Sequence, residues 1–383
     1  MKRLWILGLA LVVVLAVGVV SCGEEEETTT TAAPTTATTQ AQSTTTSSTA
    51  APETTTTSVA KEPIVFKMAS TFQETETGGL MAQHFIDLIH ERTQGAVKIE
   101  LYPGGTLGGP PEVLGLLESG AADIAPFGHP AAAASLPLLN FPMWAPGDQQ
   151  AAIAYFNHMV FENPDTAPLI QAEAEAHNIK YLGFNAGGSN VFVSKVPFTK
   201  LADLKGKKCA VGGMVPAFQA IGLEPVESFP PDTYENLSRG IADCAQMGFS
   251  PTVQLKWYEV AKYYMFDGTY AAGNPWTVNL KSWAKLSPEL QQVFLDVAKE
   301  MEAWSTELTL SEEQKALETL KAAGVTVGTL SAEDQKLWWD ALFKACADSQ
   351  YKLAKDGGFV EQMVTVLKAA AAFTKTTWEP PAQ

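Results

Sequence analysis

Arginine is missing from the middle of this chain: none occurs between Arg92 and Arg239. A guanidinium fork is the usual device for gripping a carboxylate at two points, so that device is excluded over the central segment. Histidine is scarce too, at five residues. There is neither an HExxH pair nor a Cys-x-x-Cys spacing, which removes the commonest zinc signatures. Only four cysteines are present, too few for a disulfide-built scaffold. Lys and Arg total 26 against 42 Asp and Glu, a formal net charge of −16. That balance argues against nucleic acid or an anionic lipid surface as the main partner, although a local pocket can oppose the global charge. Leu101–Gly109 is Gly-rich but lacks the Gly-Lys-Ser/Thr of a phosphate cradle, so it reads as a tight turn. Gly187–Val191 begins like a nucleophile elbow without its closing Gly. With no convergent constellation, no enzyme is expected, and nothing requires a metal or cofactor.

The N-terminus carries an address. Lys2 and Arg3 precede an almost wholly apolar run from Leu4 to Val20, which ends in Val19-Val20-Ser21-Cys22. This resembles a bacterial lipobox, so residues 1–22 are expected to be a lipoprotein signal peptide with Cys22 as the lipidation site. The competing reading is an uncleaved anchor at the short limit for spanning. Residues 23–61 are rich in Thr, Ala and Pro and free of aromatic residues, the composition of a disordered linker. As a flexible coil it would reach roughly 35 Å. The expected location is extracytoplasmic, lipid-anchored to a bacterial cell membrane on its periplasmic or outer face. Such a compartment permits a Cys209–Cys244 bridge, yet neighbouring parallel strands seldom offer the geometry, and free thiols are favoured.

The folding part is organised around a stretch that occurs twice. PPEVLGLLESGAADIA from Pro110 and PPDTYENLSRGIADCA from Pro230 align without a gap. Pro110/Pro230, Pro111/Pro231, Gly120/Gly240, Ala122/Ala242, Asp123/Asp243 and Ala125/Ala245 are identical. Each copy reads as a Pro-led helix, a Gly stop and a short apolar strand. Two copies imply two similar α/β lobes with a cleft between them. Asp123 and Asp243 read as turn caps, one per lobe, and not as paired acids.

Elsewhere, Ile64–Ala69 reads as a buried first strand, 78–93 as a helix and 97–101 as a second strand. Residues 148–177 read as one or two helices and 179–184 as a strand. A crossing strand at Val191–Val193 opens the second lobe. Ser287 and Pro288 are N-cap and first residue of a helix uninterrupted until Gly324. Its length of about 54 Å exceeds one lobe, so it is expected to span both. Further helices begin at Ser331 and near Gly358. The expected division is lobe I at 62–187 plus about 273–311, and lobe II at 188–272 plus about 312–383.

LYPGGTLGG, ESGAADIA, LADLKGKK, YENLSRGIADCAQMGFSP, YEVAKYY and SWAKLSPELQQVFLDVAKE, in this order and spacing, resemble the solute-binding proteins of tripartite ATP-independent periplasmic (TRAP) transporters, of the dicarboxylate-binding-protein type. The resemblance runs from about Ile64 to Gly358. It implies an α/β, two-lobed periplasmic-binding-protein-like fold with a long helix spanning both lobes. It also implies capture of a small organic solute between the lobes and delivery to a secondary membrane permease. A sensor or scaffold using the same fold is the alternative.

Where the family usually reads LKGLKIRV, this chain has Leu204–Val211, so the family's carboxylate-gripping arginine falls on Ala210. A second family arginine falls near Ser189 or Asn190, and a polar family position near Gln246 and Met247. The remaining candidate ligand contacts are Phe72, Phe127, His129, Trp144, Gly213, Phe249 and Trp276. That set offers aromatic surface with a few hydrogen-bonding tips. Burying a carboxylate without a cation costs several kcal/mol, so the expected solute is neutral or weakly polar. Lys67, Lys195 and Lys256 are the cations within possible reach of the cleft.

Overall fold

The structure, a computed structural model, describes residues 62–126, 134–228 and 230–381. Cys22, the linker, Phe127 and His129 lie outside the described residues. Strand β1 (Ile64–Ala69) pairs in parallel with β2 (Val97–Tyr102), from Ile64↔Val97 to Ala69↔Tyr102. Helix α1 (Thr77–Arg92) is their crossover and buries Met81, Ala82, Phe85 and Ile89, a helical spacing that lays one face on the sheet. The first repeat copy forms a turn at 110–112, then α2 (Val113–Ser119) and β3 (Ile124–Pro126). β4 (Trp144–Pro146), α3 (Gln149–Asn157) and α4 (Ala167–Ala176) complete this half. Asp148 caps α3 by accepting the Ala151 N–H.

β5 (Ile179–Ser194) is one continuous strand, where the sequence reading has two strands separated near Gly187 and Gly188. The strand continues because its irregular amides find partners outside the ladder. Gly188 N–H donates to Gln149 Oε1 and Ser189 N–H to Glu313 Oε1, each at 2.7 Å. Gly188 sits at φ 95°, a conformation open to glycine.

The second half runs β6 (Lys208–Val211), α5 (Val215–Ala220), β7 (Glu224–Glu227), α6 (Pro230–Ser238), β8 (Cys244–Gly248) and α7 (Phe249–Gln254). β6 pairs in parallel with both β7 and β8. Cys209 and Cys244 are register partners on β6 and β8, and both thiols are buried and free. A second long strand, β9 (Tyr263–Asn279), returns antiparallel to β5. It is followed by α8 (Leu280–Trp283), α9 (Pro288–Ala322), β10 (Thr326–Thr329), α10 (Ala332–Gly357) and α11 (Val360–Phe373).

The main sheet order is β2-β1-β3-β9-β5-β8-β6-β7. The order is mirrored about the two long strands, with a parallel trio at either side. The repeat strands β3 and β8 are the inner members of those trios. Asp123 accepts the Lys67 N–H at 2.8 Å and returns its own N–H to Lys67 O at 2.9 Å. Asp243 does the same with Lys208, at 3.0 and 2.7 Å. These aspartates are therefore clasps between parallel strands and not the local turn caps expected from the sequence.

Helix α9 begins as expected, with the Ser287 side chain accepting the Leu290 N–H. Phe294, Val297, Ala298 and Met301 pack in one core with Phe66 and Phe85. Ala316 and Leu320 pack in another with Ala245 and Phe249. One helix thus joins both halves. Among the described residues no helix is long and apolar enough to cross a membrane.

Candidate functional site

A cavity of about 390 Å³ opens where β5, β9 and α9 cross, within the range of small-ligand sites. The first half contributes Phe72, Thr77, Gly78, Met81 and Pro126, the second Phe249, Ser250 and Pro251. Pro126 ends β3 and Phe249 follows β8, so the two repeats present corresponding carboxyl ends to it, where α/β sheets bind ligands. Its floor is the strand crossing itself, Asn185–Ser189 on β5 with Ala271, Gly273 and Asn274 on β9. A Cβ at Gly273 would stand 2.8 Å from Ala186 O, so the two strands touch with no room for a side chain.

Polar groups on the helices fix that floor. Ala186 N–H donates to Ser305 Oγ at 2.9 Å. Gln149, 4% exposed, accepts from Gly188 and donates to Ala271 O at 3.0 Å, tying β5 to β9. Glu313 Oε1 accepts both the N–H and the hydroxyl of Ser189 at 2.7 Å. Thr309, Glu312 and Glu313 line the wall from α9. Two buried polar atoms of the lining have no partner within the fold, Asn185 Oδ1 and Thr309 Oγ1, and buried polar atoms of this kind are suited to pair with a ligand. Glu76, Glu312 and Glu313 are acidic, and the described lining residues include no Lys, Arg or His.

Of the residues expected at the site, Phe72 and Phe249 line the cavity. Asn190 and Gln246 do not, because a buried carboxylate takes them. Asp267 is fully buried and accepts from Gln246 Nε2 at 2.8 Å and from the Thr269 hydroxyl at 2.7 Å. Asn190 Nδ2 then reaches Thr269 Oγ1 at 3.2 Å. Desolvation pushes the Asp267 carboxyl above its ordinary range, against these hydrogen bonds. Ala210, 2% exposed, packs with Leu237 and Ala245 in a core, since its position on β6 points into the second half. Trp276 is fully buried and stacks on Phe85. Met247 and Trp144 are half-buried packing residues, though Trp144 pairs with the cavity residue Ala271. Gly213 is exposed in the loop after β6.

None of the three lysines lines the cavity. Lys195 Nζ caps α6 by donating to Leu237 O at 2.7 Å, while Lys67 and Lys256 are exposed. Asn185, Thr309, Glu312 and Glu313 escaped the sequence reading. Their signal was available: Ser305, Thr309 and Glu313 recur at i, i+4 and i+8 and interrupt the apolar stripe of α9 midway.

A family model described as bacterial extracellular solute-binding protein, family 7, matches residues 68–352. The chain belongs to this family. It is a TRAP solute-binding protein. It is similar to the 2,3-diketo-L-gulonate-binding periplasmic protein of Escherichia coli, at 27% identity over 74% of this chain and 86% of the relative. A TRAP periplasmic solute-binding protein from Pseudomonas putida, solved with bound D-glucuronate, shares the fold at a TM-score of 0.60 and 21% identity. That match covers 81% of this chain and 97% of the solved one. An open, ligand-free member from Rhodobacter sphaeroides superposes at a TM-score of 0.71 and 17% identity, over 81% and 99%. For a TRAP solute-binding protein the crossing cavity is the ligand site to consider. Among its described residues no acidic, His or Cys cluster is arranged to hold a metal ion.

Proposed function

We propose that this protein captures a small organic acid in the crossing cavity and delivers it to a TRAP-type membrane permease. The observation that carries the reading is a cavity walled by both halves at the strand crossing. We further propose lobe I as 62–187 plus about 273–311, and lobe II as 188–272 plus about 312–383, which close on the solute. The neutral solute expected from the sequence is not carried forward. The relatives' named solutes, diketogulonate and glucuronate, are acids. Thr77 and Gly78 line the cavity at the first turn of α1, whose Glu76 cap makes no side-chain cap bond. Free first-turn N–H groups favour an anion, so the acid group belongs on those amides, where the single like charge is Glu76, whose carboxylate is engaged by the Gln73 N–H at 2.9 Å. Like charges about 6 Å apart repel by about 3 kcal/mol at an effective dielectric of about 20, which keeps it away from Glu312 and Glu313.

The test is solution scattering with and without metabolite extract of the producing cells, alongside hydrogen exchange. A smaller radius of gyration and protection at Asn185–Ser189 are expected. An unchanged radius together with unchanged exchange rejects capture by closure. Tethering through a lipid on Cys22 is part of the same proposal. Cys22→Ala is expected to release the body from membranes, and unaltered membrane attachment and processing would reject the lipoprotein reading.

A further inference from the structure

We propose that the α9 end of the cavity receives a protonated amino group, so that the captured solute is an amino-carboxylate and not an acid alone. This rests on the capture reading above. The wall at that end offers acceptors. Asn185 is 3% exposed, and its Nδ2 donates to Asn274 O at 3.2 Å, which fixes the unpartnered Oδ1 as the atom left for a ligand. Thr309, 6% exposed, has an unpartnered hydroxyl at the same wall. Glu313 commits Oε1 to both Ser189 donors, which leaves its other oxygen as an acceptor. Glu312 lies one residue away, with Lys315 at 2.7 Å as its exposed partner.

A sugar hydroxyl would supply donors to these atoms but leave the carboxylate charge unanswered. An ammonium supplies three donors and the opposite charge in one group. The ring of Phe249 borders the same space, and aromatic faces attract a desolvated cation. With the acid group at the α1 end, the pocket matches a zwitterion: an anion against helix amides, a cation against carboxylates.

The experiment measures calorimetric affinity and melting temperature for matched probes at pH 7: succinate against L-aspartate, glutarate against L-glutamate, propionate against L-alanine. At least one amino member is expected to bind ten-fold or more tighter than its parent acid. Glu313→Gln should erase that preference. Because Glu313 also anchors Ser189, Thr309→Val is the second variant, and its two effects have opposite signs. It removes an unsatisfied buried hydroxyl, so the unliganded protein should melt higher, yet bind the amino probe more weakly. Parent acids binding as well as their amino partners, or a preference untouched by both variants, overturns the proposal while leaving capture intact. No response to any probe overturns it as well, and capture would then survive only if cell extract still closed the protein.

Discussion

Trp276→Ala is expected to lower the unfolding free energy by about 4 kcal/mol, the upper part of the range for deleting a large buried aromatic side chain. The indole is fully buried and stacks on Phe85, with ring centroids 4.2 Å apart and planes at 25°. It shares a core with Phe66, Phe294 and Met301, so its removal opens a hole walled by β1, α1 and α9 together. Its backbone is fixed by pairing to Pro126 on one side and Gly183 on the other, which prevents β9 from sinking to fill the space. Trp276→Phe should cost only about 1 kcal/mol, because it keeps the stack and removes an indole N–H that has no partner. Urea titration reads both, with the slope unchanged and the midpoint shifted. A loss under about 1 kcal/mol for the alanine variant would mean that the ring is not a core residue, and equal losses for both variants would sink the unpaired-donor argument.

That residue also marks where sequence reasoning stopped. The repeat was legible because its signals are local: Gly120 and Gly240 take φ 76° and 74°, and a helix must end there for any L side chain to be avoided. The start of α9 was legible for the same reason, through Ser287 and Pro288. β9 was not, since Gly268, Gly273 and Pro275 read as strand breakers. They are tolerated because β5 pairs with β9 along its whole length through several register shifts, while β10, β4 and β3 hold its other edge in turn.

The site was half legible. Phe249 falls on the cavity beside a feature the sequence displays, the end of a repeat, whereas Phe72 meets the Gly-rich turn only in the fold, where its carbonyl accepts the Gly104 N–H at 2.8 Å. Asn190 and Gln246 fall away from the cavity because the Asp267 network, distant in sequence and unremarkable there, takes them. Ala210 and Trp276 lie in cores because neither a resemblance nor a residue type supplies the face of the strand. Glu313 is hidden in the sequence because α9 reads as one apolar stripe, although its two ends serve cores while its middle serves the cavity.

Raising the pH from about 4.5 to 7 is expected to weaken the fold through Glu173. Its carboxylate accepts the N–H groups of Leu138 and Leu139 at 2.8 and 3.0 Å, tying that segment to α4. Burial nevertheless outweighs those bonds and the nearby His177, and raises its pKa from 4.5 to about 7. Tyr181, itself pushed up by burial, faces the same charge. Below the unfolded value both states hold the proton, and the contribution is fully present. Between about 4.5 and 7 the folded state binds a proton that the unfolded state has released, so stability falls as pH rises. Above about 7 both are ionised and this slope vanishes. The span corresponds to a loss of about 3 kcal/mol between about pH 4.5 and 7. Glu173→Gln removes the titration, so its stability curve should be flatter across that window. Buried Asp267 is shifted in the same direction by desolvation and remains in the variant. Denaturant titrations at half-unit steps from pH 5 to 8 decide the matter, and identical slopes for the parent and the variant would show that Glu173 is ionised in the folded state throughout.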